Sequence, residues 1–285
     1  MRSIVLRSAR YMLRRLGLEL RPHQASTGPA PLKRLAHPCD AIYQHGDVAF
    51  EVPLDKCFYP YHFSYGPSGW HPFVQVLQQY KQNPNTSYLG SILHAYYQAY
   101  QPKTVFDAFF VGNMAKGLEA EHLHTLAIPP YQPVFPWDPE APQARGEKGL
   151  ASSHGNQGYG PVSDEKGELE FRRLTETYES VKEKGYQPQQ GHDGDIRGYF
   201  LRGCGDYRFV IRQGLHRSAV LSAMDYEKLR VAFYDPYPRT IFLADIDNWP
   251  QVKRGYVSRE VAEHIFRMFF EDDGREKARQ LGLLD

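Results

Sequence analysis

An α+β fold in one or two domains is predicted for this 285-residue chain, and three observations predict it. Apolar residues are 41% and charged residues 24%, inside the globular range, which excludes global disorder and collagen-like or mucin-like chains. Apolar side chains recur at helical spacing in several stretches. Short apolar runs joined by tight turns lie between Gly198 and Phe233 and read as a small mixed sheet. The expected organisation is a basic amphipathic helix over 1–22, an aromatic-rich and mainly helical region over 23–150, the sheet-bearing domain over 151–240, and a helical extension over 241–285.

At the N-terminus, Val5, Ala9, Met12, Leu13 and Leu16 share one face of a helical wheel, and Arg7, Arg10, Arg14 and Arg15 fall on the other. Gly17 and Pro22 stop the helix. The arginines break any apolar run that a secretory signal needs. Two readings stay open: a helix on the anionic inner face of a membrane through residues 1–20, or one docked on its own protein. Residues 1–34 hold eight Arg/Lys against Glu19, a charge of +7 that leaves −6 on the rest, since the whole chain is +1. That body is not the footprint of a duplex-DNA binder. No window is apolar for the ~18 residues that a membrane span takes. Cys39, Cys57 and Cys204 are far apart, form no zinc-spaced cluster and are expected as reduced thiols in a cytoplasmic protein.

His23–Leu35 reads as a linker and Val48–Val52 as a strand, with one or two strands expected before Tyr65. Pro72–Gln82 and Ser87–Tyr100 are predicted helices, the second halted by Pro102. The 20 tyrosines suit cores and binding clefts equally and do not by themselves name a ligand. Pro129–Pro142 reads as an irregular crossing. Ser152–Pro161, with its glycines at 155, 158 and 160, reads either as a flexible polar loop that closes over a ligand or as an ordinary linker.

Glu168–Lys184 is a predicted helix closed by Gly185; Gly198–Leu201 and Tyr207–Ile211 are strands joined by the turn 202–206. A helix from His216 to Met224 follows the break at Gly214, and then come the strand Leu229–Phe233, a Pro-rich turn at 235–238 and an extended Ile241–Leu243. Ser258 caps a last helix that runs to Phe270.

Chemistry concentrates at strand–Gly214-Leu215-His216-Arg217-Ser218–helix. A helix N-terminus presents unpaired N–H groups and partial positive charge, which suits phosphate. Gly214 lets the backbone approach closely, Arg217 adds a charged fork and Ser218 a hydroxyl. His216 either donates to a phosphate oxygen or holds the loop in shape. The plainer alternative is a tight strand–helix turn with a solvated arginine. A phosphotransferase needs an acid near its acceptor and carboxylates for Mg²⁺. Glu168 with Glu170 and Asp193 with Asp195 are the candidate catalytic pairs; the first pair equally complements a helix dipole and the second equally sits in a solvated turn.

The run Leu174–Pro188, with Leu174, Ser180-Val181, Gly185 and Gln187-Pro188, resembles the first box of ParB-family proteins, and the Gly-Leu-His-Arg turn stands where they carry their Gly-x-x-Arg box. Gly205–Arg217 also resembles the phosphate loop of sulfiredoxin. The resemblance covers roughly Gly158 to Phe233. It implies a ParB/sulfiredoxin-like fold and a nucleoside triphosphate, ATP or CTP, with Mg²⁺. Gly214, His216 and Arg217 would line its phosphates, and Gly185, Gln187 and Pro188 the pocket. Leu215 replaces the reactive cysteine of sulfiredoxin, so sulfinic-acid repair is not expected. Asp247-Asn248 faintly echoes the third ParB box and is the candidate metal site. The domain pairing also resembles proteins of bacterial surface-polysaccharide clusters. The expected activity is ATP-dependent phosphoryl transfer to a small molecule or glycan; a CTP- or ATP-gated binding protein without transfer is the alternative.

Overall fold

The structure, a computed structural model, describes residues 30–115, 118, 135–139, 150–188, 194–235 and 237–285. Strands β1 (Ala49–Pro53), β2 (Cys57–Phe58), β3 (Ile196–Gly203), β4 (Asp206–Gln213), β5 (Lys228–Phe233) and β6 (Thr240–Phe242) form one mixed sheet. Its order is β1-β5-β3-β4-β2. β5 and then β6 lie parallel along the same edge of β3, at Ile196–Gly198 and Phe200–Arg202. The hairpin of β3 and β4 closes through Cys204 and Gly205, at φ 55° and 72°. Two consecutive positive φ angles match a type I′ turn, whose twist follows that of the strands.

Alternation along the strands builds two cores. Phe200, Phe209 and Ile211 face one side, where Phe50 and Phe233 join them under α1 (Pro72–Gln82), α4 (Asp164–Lys184) and α5 (Leu215–Ala223). Tyr199, Leu201 and Val210 face the other, against Trp137, Trp249 and α7 (Arg259–Glu271). Strands covered on both faces read as unbroken apolar runs, which is how β3 and β4 look in sequence. The remaining described helices are α2 (Ile92–Ala99), α3 (Val105–Phe109), α6 (Pro250–Lys253) and α8 (Arg275–Gln280).

Both chain halves contribute to this sheet. β1 and β2 come from the aromatic-rich stretch and pair with β5 and β4. Caps move two helix starts away from the periodic residues. Ser163 accepts from Lys166 N at 3.1 Å, so α4 begins a turn before Glu168. Ser91, not Ser87, caps α2, which therefore starts at Ile92.

The 152–161 segment is docked on α2 by hydrogen bonds. Tyr96 Oη donates to Gly158 O at 2.6 Å, Tyr97 Oη donates to Gln157 O at 3.1 Å, and Gly160 N donates to Tyr100 O at 2.8 Å. A Cβ on Gly160 would fall 1.9 Å from Tyr97 O, so only glycine fits there. All three cysteines are free thiols, with Cys204 exposed. Among the described residues no helix is long and apolar enough to cross a membrane. The basic helix expected over 1–22, most of Pro129–Pro142, and Asp193 lie outside the described residues.

Candidate functional site

The site is built where β4 ends and α5 begins. Gly214 caps the helix at φ 87°, in the left-handed region, with Ile196 packed about its α-carbon. No side chain caps α5. Ser218 N bonds back to Gly214 O at 2.9 Å, which leaves the amides of Leu215, His216 and Arg217 with no acceptor among the described residues. Arg217 Nη2 comes within 3.1 Å of where a Gly214 Cβ would stand, while its Nη1 donates to Gly194 O. That Nη2 is buried and has no hydrogen-bond partner among the described residues, with the Tyr186 phenol close enough to feel its charge.

The other predicted groups are placed differently from one another. Ser218 is buried and its hydroxyl donates to Gly214 O at 2.9 Å, inside the helix. His216 turns sideways: its ring stacks on Phe73 at 5.5 Å, and Nε2 donates to Glu170 Oε2 at 2.8 Å. It holds the turn in shape. Gly185 ends α4 at φ 73°, and Gln187 is exposed, donating to Lys184 O at 2.9 Å. From that box it is Tyr186, between Gly185 and Gln187, whose phenol feels Arg217, Asp195 and Arg230. Pro188 is half-buried at the end of the described stretch.

Glu170 is the electrostatic centre. It is wholly buried, and Oε1 accepts from Lys166 Nζ at 2.6 Å and Arg173 Nη1 at 3.1 Å. Oε2 takes His216 and also Gln157 Nε2 at 3.0 Å. Burial pushes the carboxyl up, but the hydrogen bond and charge of His216, followed by Lys166, outweigh it and hold it at about 2. A carboxylate so occupied is a structural counter-ion, poorly suited to take a proton. Glu168, two residues earlier, is exposed and does not join it. Asp195 is buried, bonded to Arg230 Nε at 3.0 Å and Ala30 N at 2.9 Å. Asp247 and Asn248 lie exposed in a 3₁₀ turn, with Asp247 paired to Arg259 at 3.1 Å. No group of three His, Cys, Asp or Glu side chains able to hold a metal occurs among the described residues.

Sequence reasoning missed the groups on the other side of the turn. Arg212, two residues before Gly214, lies over the rings of Tyr237 at 5.1 Å and Phe135 at 5.8 Å. Burial opposes its charge, but Tyr237, Tyr199, Asp138 and Tyr61 favour it, and its pKa lies above that of an ordinary arginine. Tyr59 and Tyr61 stand nearby, ring centroids 5.2 Å apart. A Gly158 Cβ would fall 3.1 Å from Tyr59 Oη and 2.4 Å from Tyr61 Cε2, so the glycine brings the 152–161 backbone against them. Burial pushes both phenols up, so both remain neutral donors at physiological pH. The alternation Tyr59-x-Tyr61-x-Phe63-x-Tyr65 was the available signal, but it does not say which strand end the rings meet. Comparison with protein-family models, curated proteins and solved structures found no match to this chain.

Proposed function

We propose that the chain binds a nucleoside triphosphate at the α5 N-terminus and transfers its terminal phosphoryl group to a small molecule or sugar. One observation carries this reading: three helix-opening amides without an acceptor among the described residues, beside a left-handed glycine and a guanidinium nitrogen that lacks a hydrogen-bond partner among the same residues. The succession β3–β4–Gly214–α5–β5 is compatible with the ParB/sulfiredoxin-like arrangement that the two sequence boxes suggest. In the reaction the acceptor oxygen bonds to the terminal phosphorus, the bridging P–O bond breaks, the nucleoside diphosphate leaves, and the hydroxyl proton passes to solvent. The amides and Arg217 would hold the phosphate oxygens in place. Asp247, Asn248, Glu168 and Asp195 do not converge into a ligand set for Mg²⁺.

A second reading, nucleotide-gated binding without transfer, is favoured by one finding. The buried acids nearest the turn, Glu170 and Asp195, are both engaged in ion pairs. Thermal-shift titration of the full chain against ATP, CTP and GTP with Mg²⁺ tests both readings. A nucleotide at 100 times its Kd adds about 2.7 kcal/mol of stability. No shift at millimolar nucleotide defeats both. If a shift appears, phosphorus NMR over hours separates transfer from gating.

A further inference from the structure

Helix α1 carries four glutamines at helical spacing, Gln75, Gln78, Gln79 and Gln82, which places them on one face. That face borders two cavities. One, of about 460 Å³, lies between α1 and the start of α2 and is lined by all four glutamines together with Ser91. The other, of about 370 Å³, shares Gln75 and Gln78 with the first and is lined further by Asp55, Tyr226 and Glu227. Together they make one polar groove, and each part has the size of a small-molecule site. The protein's own bonds fix its walls. Gln79 ties α1 to α2, with Nε2 donating to Gly90 O at 3.0 Å and Oε1 accepting from Ile92 N at 2.9 Å. Ser222 Oγ donates to Tyr65 O at 2.6 Å, and Gly66 packs so tightly that a Cβ there would fall 2.8 Å from Asp55 Cα. The side chains of Gln75, Gln78, Gln82, Asp55, Tyr226 and Glu227 make no hydrogen bond among the described residues.

We propose that this groove binds a neutral oligosaccharide, held by the glutamine amides and packed against Tyr226. A carboxamide presents an acceptor and two donors in one plane, and a sugar hydroxyl both donates and accepts, so neighbouring hydroxyls use both ends of one glutamine. An ammonium ion only donates and leaves the amide N–H groups unmatched. A phosphate or carboxylate only accepts, and it meets the negative charge of Asp55, Asp225 and Glu227. Lys81 offsets little of that charge: its Nζ stands 3.9 Å from Asp225 and donates to Ala223 O at 2.8 Å. Tyr226 is 41% exposed, which offers an apolar ring face to the C–H side of a pyranose while its hydroxyl stays in water. From Gln75 to Gln82 the helix rises about 10 Å, so the amides meet successive rings of a short glycan. The groove lies at the far end of α5 from the phosphate turn, with Ser222 about 10 Å along that helix from Leu215. Glycan binding there does not depend on the nucleotide reading.

The test is saturation-transfer NMR of the full chain with maltotriose, cellotriose, mannotriose and triacetylchitotriose, and with spermidine and glucuronate as charged controls. At least one trisaccharide is expected to give a saturable signal, and the two charged probes are not. Gln75→Ala and Gln78→Ala, at positions only partly buried, are expected to weaken that binding by roughly three- to tenfold each. Tyr226→Phe keeps the ring and is expected to keep most of the affinity, whereas Tyr226→Ala is expected to lose it; unchanged thermal melts show that the variants fold. No signal from any of the four trisaccharides, equal affinity in the folded alanine variants, or stronger binding of spermidine or glucuronate overturns the proposal. The outcome of an ATP titration moves it in neither direction.

Discussion

Glu170 shows how a residue chosen for chemistry becomes a residue chosen for architecture. A fully buried carboxylate survives only with partners, and here Lys166, Arg173, His216 and Gln157 supply them. Glu170→Gln keeps the shape but takes the counter-charge from the buried Lys166, so a loss of about 3–5 kcal/mol is expected in denaturant unfolding. The pH dependence follows from the same pairing. The folded carboxyl sits at about 2, below the ordinary glutamate value of 4.5. Its stabilisation is therefore complete above that value and lost as pH falls toward 2. The wild type should lose stability between about pH 4.5 and pH 2 more steeply than Glu170→Gln; parallel curves would show that the pairing contributes nothing. Sequence put Glu170 at the opening of a helix, which in the structure begins earlier, at Asp164. It did not reveal the burial, because the partners His216 and Gln157 are distant in the chain.

At the scale of elements, the 152–161 segment and the β4–α5 turn carry the account. Gly160 touches Tyr97 O so closely that Gly160→Ala must displace either the segment or α2. A destabilisation of roughly 1–3 kcal/mol is expected, read as a lower midpoint in urea at unchanged slope. Gly185 offers the contrast: its Cβ would meet nothing within 4 Å, so Gly185→Ala carries only the cost of φ 73°, about 1 kcal/mol. A cost at position 160 no larger than that at 185 would contradict the docked segment. Periodicity made the long elements readable: α1 and the β3–β4 hairpin fall where spacing put them. It failed on the docked segment because Gly, Ser and Asn carry the same composition whether a loop is loose or pinned by tyrosine hydroxyls from another helix. It also misplaced the starts of α2 and α4, where the capping serines and not the apolar stripe decide.

Across the whole molecule, aromatic residues from both chain halves bind the sheet to its helices, and Lys277 sits at their far end. This wholly buried lysine of α8 donates to Ala108 O at 2.7 Å, Tyr100 Oη at 3.0 Å and Tyr61 O at 3.3 Å. Burial brings it down to about 7, against a smaller opposing push from Asp272. Above pH 7 the unfolded chain holds a proton there that the folded one lacks, so stability rises with pH, by at most ~1.4 kcal/mol per unit. Thermal midpoints should rise between about pH 7 and pH 9 in the wild type and stay flat in Lys277→Met. A rise of equal size in the variant would place the effect elsewhere. The excess of tyrosine was plain in the sequence, but its division between core and candidate site was not, since Tyr59, Tyr61 and Tyr100 differ only in what folds over them.

The central claim is that the α5 amides, with Arg217, seat a triphosphate. Isothermal titration of ATP into the full chain, beside Arg217→Ala, tests it most directly. The account predicts saturable one-to-one binding that weakens by roughly 10- to 100-fold in the variant, the worth of a charge-assisted hydrogen bond of about 1.5–3 kcal/mol. Absent heat in the wild type, or equal affinity in a folded Arg217→Ala, would contradict it.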